Sequence, residues 1–161
     1  MPFVYGHALL YLPDLDNIKA LVPLAGFTYE FVERDDISAL CQHEAFEHSI
    51  GNCGGHPRPD VLVLLARHGE EIAGMAGCCE DCATMWQIGM DVLPAHRGRG
   101  LAAYLVNALA LEILRRGKVP YYCTSPANIP SQRTAHRAGF YPAWVASYKG
   151  LFEGYELQPT S

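Results

Sequence analysis

From residue 61 onward, short apolar runs alternate with breaks marked by glycine or proline, and this punctuation predicts most of the elements. Residues 61–66 (VLVLLA) form a continuous apolar run of strand length, as expected for a strand buried on both faces. His68-Gly69-Glu70 reads as a tight turn, and residues 71–79 (EIAGMAGCC) as the returning strand of a hairpin. Residues 85–93 add a third antiparallel strand, closed by Pro94. Residues 101–116 place Leu101, Leu105, Leu109 and Ile113 on one helical face. Arg115 and Arg116 suit the negative end of that helix, and Gly117 stops it. Residues 119–124 (VPYYCT) are rich in strand formers and follow a helix, so they are expected to lie parallel to strand 85–93. A second helix is expected over 128–138, with Pro130 near its start and Gly139 at its end, and a final strand over 140–149.

The first third is less patterned. Residues 27–33 (FTYEFVE) alternate as a half-buried strand does. Asp35-Asp36 offers an N-cap to a helix whose apolar stripe is Ile37, Leu40, Cys41, Ala45 and Phe46, ending near 49–51. Residues 52–59 (NCGGHPRP) read as a loop. Residues 1–24 are apolar, carry Pro2, Pro13 and Pro23, and show no sustained period. They are expected to be an irregular lead-in within a single domain spanning 1–161. At 161 residues and 50% hydrophobic, the chain can bury one good core but not comfortably two.

Charge sharpens one region. The net charge of −5 argues against a nucleic-acid partner, and it makes the basic cluster His96-Arg97-Gly98-Arg99 stand out. No apolar run approaches the roughly 20 residues of a membrane span. The N-terminus lacks the basic start of a secretory signal, so no membrane partner and a cytoplasmic location are expected. Six cysteines include Cys79-Glu80-Asp81-Cys82, but no second pair completes a four-ligand zinc set. Cys78 and Cys79 are read as reduced core residues and no metal is expected. Monomer and homodimer both remain open.

The candidate chemistry sits where the third strand breaks. Arg97-Gly98-Arg99-Gly100 is a basic glycine turn between a strand and a helix, and the free N–H groups and positive dipole of a helix start favour an anion there. Glycine permits positive φ and close approach of a ligand. Gly98-x-Gly100-x-x-Ala103 also matches a dinucleotide fingerprint formally. That reading requires a carboxylate about 20 residues on, at the end of the next strand. Cys123-Thr124-Ser125 stands there instead, so a nicotinamide site is disfavoured.

Together, Arg97-Gly98-Arg99-Gly100-Leu101-Ala102 and the later Asn128 with Gly139-Phe140 resemble the motifs of the GCN5-related N-acetyltransferases. The resemblance covers residues 60–145 well. It implies an α/β (α+β) fold with a mixed, mainly antiparallel central sheet whose strands splay apart, flanked by helices. It implies acetyl-CoA as acyl donor, with the backbone of Met90, Asp91 and Val92 on the pantetheine arm. Arg97, Gly98, Arg99, Gly100, Leu101 and Ala102 would hold the pyrophosphate, and Asn128 and Ser131 the far side of the arm. Family members often carry a tyrosine general acid four residues before the glycine, where this chain has Ala135. His136 is adjacent, though turned by about 100° on a helix. Tyr141, Tyr121 and Tyr122 are further phenols, and Asp91, Asp81, His43, His48, Glu44 and Glu47 further candidates for the base; Gln87 cannot serve as one. His136, Tyr141 and Asp91 are the catalytic candidates. The expected activity is direct acetyl transfer to the primary amine of a small molecule in a ternary complex. The rival is a non-catalytic acyl-CoA-binding or sensing module.

Overall fold

A computed structural model describes residues 3–51 and 56–151. Those residues form a seven-stranded sheet in the order β2-β3-β4-β5-β6-β1-β7. Its strands are β1 (Phe3–Pro13), β2 (Thr28–Glu33), β3 (Asp60–His68), β4 (Glu71–Glu80), β5 (Met85–Val92), β6 (Val119–Thr124) and β7 (Phe140–Leu151). All neighbours are antiparallel except β5 and β6, which run parallel because helix α2 (Leu101–Arg115) carries the chain back between them. Helix α3 (Ile129–Arg137) connects β6 to β7.

The predicted meander, the parallel return and both C-terminal helices are present. The continuous apolar run of β3 has the expected cause, because each face of the strand packs into a different core. Leu62 and Leu64 join Ile88, Val92, Leu105, Leu109 and Ile113 beneath α2. Val63 and Leu65 join Met75, Ile37, Leu40, Phe46 and Ile50 on the opposite face. Burial of such residues, at about 25 cal/mol per Å² of apolar surface, supplies the main stabilisation.

Two expectations in the first third are corrected. The apolar stretch read as an irregular lead-in contains β1, which lies between β6 and β7. Alternation is weak there because the strand has neighbours on both edges near Leu9 to Tyr11, whereas its first half pairs with β7 alone. The helix expected from Asp35 is only one turn, α1 (Arg34–Ile37), followed by 3₁₀ turns at Ser38–Leu40 and Glu44–Phe46. Ile37, Leu40 and Phe46 still reach the core, but Cys41 and Ala45 are exposed. Of the loop expected over 52–59, residues 52–55 lie outside the described residues.

One buried polar residue ties the irregular parts to the frame. Asn107 on α2 accepts a hydrogen bond from the Leu21 N–H at 2.9 Å and donates to the carbonyls of Lys19 and Ala138, each at 3.0 Å. Asn107→Ala leaves these backbone groups without their partner, that of Ala138 in a buried position, and should cost about 1–3 kcal/mol. Urea unfolding should show a lower midpoint at unchanged slope. Among the described residues no helix is long and apolar enough to cross a membrane.

Candidate functional site: a cleft between parting strands

β5 and β6 pair from Met85↔Val119 to Ile88↔Tyr122 and then separate. Beyond that point β5 remains paired with β4 as far as Gly74↔Val92, while Thr124 of β6 pairs with Leu9. The edges facing each other from Gly89 onward therefore have no ladder partner, and a cleft of about 920 Å³ opens between them. Unpaired strand edges present N–H and C=O groups that an extended, amide-bearing ligand can use.

The glycine turn closes one end. A 3₁₀ turn (Pro94–His96) leads into it, and φ is +77° at Gly98 and +89° at Gly100. A Cβ at either position would meet nothing within 4 Å. Glycine is thus demanded by backbone conformation and by the open space toward a ligand, not by protein packing. Among the described residues, no N–H from Gly98 through Ala103 has a protein acceptor, and the N-cap of α2 adds no side-chain bond. These orphan donors at the positive end of a helix fit a phosphate-bearing group. Arg97 folds back so that its Nε donates to the Val92 carbonyl at 2.9 Å. Buried His96 supports the turn through Glu71, 2.9 Å from its Nε2, and an edge contact with Phe27.

Every residue that the resemblance assigned to the donor borders this cleft except Arg99, which points into solvent outside it. Asn128 does cap α3, its Oδ1 accepting from the Ser131 N–H at 3.1 Å. Arg133 and Arg137 on α3 add positive charge to the cleft wall. Sequence reading passed over them, although their i,i+4 spacing places both on one helical face.

The catalytic candidates separate. Ala135 is fully buried, and His136 is exposed with its ring edge-on to Tyr11, centroids 5.5 Å apart. Tyr141 is half-exposed on β7. Neither His136 nor Tyr141 borders the cleft. The phenol that does so is Tyr122, on β6, with its hydroxyl 2.6 Å from Ser131 Oγ. Burial raises its pKa above the ordinary tyrosine value of 10.0, against a smaller pull downward from Ser131.

Asp91 is already engaged. Its Oδ2 accepts from the His48 N–H at 2.9 Å and the Ser49 N–H at 2.8 Å, and lies 2.8 Å from Ser49 Oγ. Its Oδ1 lies 2.8 Å from His48 Nδ1. These bonds draw the segment after the second 3₁₀ turn flat across the sheet. Gly77 and Gly89, paired across β4 and β5, make room for it. A Cβ at Gly89 would lie 1.8 Å from the His48 carbonyl oxygen, and one at Gly77 1.9 Å from that of Ser49. A continuous helix would interpose side chains between its backbone and the sheet, so the predicted helix cannot extend through His48 and Ser49 to its expected end. A second hollow of about 180 Å³ adjoins the cleft at His48, Gln87 and Gly89 and includes Arg58 and Asp60 in its wall.

Two of the cysteines take their expected core role. Cys78 and Cys79 are buried free thiols, and burial pushes Cys79 up to about 11. Asp81, beside the same strand, is held by the Tyr121 hydroxyl and Arg58.

A cleft between parting strands, entered at one end by a glycine turn with unbonded donors, defines a class of α/β fold suited to an extended, anion-bearing ligand. Residues 25–140 match the model of the acetyltransferase (GNAT) family, and the chain belongs to that family. Among solved structures it is similar to a GCN5-related N-acetyltransferase-like protein from Streptococcus suis, at 17% identity and a TM-score of 0.67, covering 91% of this chain and 61% of that one. A GNAT-family acetyltransferase from Novosphingobium aromaticivorans aligns at 20% identity and a TM-score of 0.63, covering 89% and 63%. A GCN5-related N-acetyltransferase from Sphaerobacter thermophilus aligns at 18% identity and a TM-score of 0.64, covering 90% and 51%. The chain thus spans less than two thirds of these relatives' lengths. Among curated proteins none matches.

Proposed function

We propose that this protein transfers the acetyl group of acetyl-CoA to the primary amine of a small molecule, directly and within a ternary complex. The observation that carries the reading is the passage between β5 and β6. It is bordered at one end by the glycine turn with its unbonded donors, and it shares His48, Gln87 and Gly89 with the hollow of about 180 Å³. The free donors of residues 98–103, with Arg97, hold the pyrophosphate. The unpaired edge at Met90, Asp91 and Val92 holds the amide-bearing arm, and Asn128 and Ser131 border it from α3.

The chemistry sets two demands. An alkylamine with a pKa of about 10.4 must lose a proton before it can attack. After attack forms the C–N bond, the C–S bond breaks and the departing thiolate takes a proton. Overall, alkylammonium and acetyl thioester give amide, free thiol and one released proton. Tyr122 supplies the acid in place of the tyrosine absent at Ala135, reaching the cleft from the strand rather than the helix. A tyrosine is protonated at neutral pH, and burial moves Tyr122 further in that direction.

Ala135 is also what motivates the rival reading, a non-catalytic acyl-CoA sensor. Free-thiol release with acetyl-CoA across a panel of amines distinguishes them. The enzyme reading expects amine-dependent release with matching acetylated product, whereas binding without release across the panel favours the sensor. Tyr122→Phe should then lower kcat by about 10- to 100-fold with little change in CoA affinity. This lies at or below the usual range for general acids because a thiolate leaves readily. An unchanged kcat would remove Tyr122 from the mechanism.

A further inference from the structure

The remaining demand is a base, and the acceptor side of the sheet contains an arrangement suited to it. β5 presents alternating faces: Ile88 and Val92 pack under α2, while Gly89 and Asp91 face the segment at His48 and Ser49. Asp91 is mostly buried, its side chain 14% exposed, and is fixed by backbone donors as well as by the Ser49 hydroxyl. His48 is the reverse, with 72% of its side chain exposed and its Nδ1 held 2.8 Å from Asp91. A carboxylate acceptor places the proton of a neutral imidazole on Nδ1, which leaves the lone pair on Nε2. Nε2 has no protein partner among the described residues.

Location separates His48 from the other candidates. It borders both hollows, at the point where they meet. Asp81 is occupied by Tyr121 and Arg58, and neither His43, Glu44 nor Glu47 borders either hollow. The geometry points to His48 as the general base that accepts the acceptor ammonium's proton, with Asp91 as the residue that positions it. The inference rests on the acetyl-transfer reading. Nε2 takes one proton from the alkylammonium, the neutral nitrogen attacks the thioester carbon, and the exposed imidazolium returns its proton to solvent. The charged and titratable groups around it are Asp91 on β5, Asp60 on β3 with Arg58 before it, Cys79 on β4 and, along the cleft, His96, Arg97, Tyr122, Cys123, Arg133 and Arg137.

The test compares wild type with His48→Gln using phenethylamine and cadaverine, which are protonated at neutral pH, and aniline, which is not. At pH 7 the variant should lose about 100-fold or more in kcat/KM on the alkylamines, within the usual range for a base. The loss should shrink steadily toward pH 10, where a substantial fraction of the alkylamine is already neutral. Aniline turnover and CoA affinity should change less than about threefold, a range too small for a lost general base. Asp91→Asn should reproduce the pH-dependent loss, its CoA affinity reporting that the fold survives. Equal alkylamine turnover by wild type and His48→Gln at pH 7 overturns the assignment. So does a loss that is the same at pH 7 and pH 10, which would mark a structural role. Absence of turnover by the wild type on every amine instead overturns the acetyl-transfer reading, and the base with it.

Discussion

Gly100→Glu is expected to abolish CoA binding while leaving the protein folded. The residue opens α2 at φ +89°, among N–H donors that have no protein acceptor. Two effects combine. Any L-residue with that conformation costs about 1–2 kcal/mol, which should lower the melting temperature by a few degrees. The carboxylate then occupies the anion position and repels phosphate. Loss of two charge-assisted hydrogen bonds, at about 1.5–3 kcal/mol each, is more than about 100-fold in affinity. Gly100→Ala isolates the strain, because its Cβ meets nothing within 4 Å. It should share the thermal shift and lose much less affinity. Calorimetric titration with CoA measures both, and native affinity in Gly100→Glu would place the pyrophosphate elsewhere.

The second large effect lies on the other face of the sheet. Gly89→Ala and Gly77→Ala each drive a Cβ into a backbone carbonyl, of His48 and Ser49 respectively, and backbone cannot rotate away as a side chain can. Each should cost about 2–3 kcal/mol, toward the upper end for overpacking. The double variant should cost clearly less than the sum, because the segment displaced by the first methyl has already vacated the site of the second. Gly74→Ala is the control, since its nearest neighbours are side-chain atoms of Leu105 and Val92 at 3.1 Å. Amine-dependent turnover should fall with the two glycine variants while CoA binding persists. Strict additivity in chemical unfolding would show that the two glycines do not seat one common segment.

The elements after residue 60 were legible because their determinants are local. Strand length and breaks mark β3, β4 and β5, and the face repeat of Leu101, Leu105, Leu109 and Ile113 marks α2. β1 was illegible because its pattern answers to partners far along the chain, at Thr124 and near Trp144. The helix expected from Asp35 failed for a related reason. Its apolar spacing is real and brings Ile37, Leu40 and Phe46 to the core, but the glycines that seat the expected end of the helix at His48 and Ser49 lie on β4 and β5. His136 looked like a substitute acid because it adjoins Ala135 in sequence, yet the helix turns it toward Tyr11. Tyr122 offered no motif, only a place on the strand that borders the cleft.

The turn at Arg97 to Ala102 needed nothing beyond its own residues to be recognised. Positive φ at two glycines, a basic flank and a helix start are short-range properties, so the sequence by itself determined the turn at which the donor is proposed to bind. The side proposed for the acceptor was decided by tertiary structure alone. Asp91 meets His48 across a separation of 43 residues, at a distance of 2.8 Å set by the pairing of Gly77 with Gly89. No periodicity or spacing encodes that meeting, because it depends on two backbones approaching where side chains are missing.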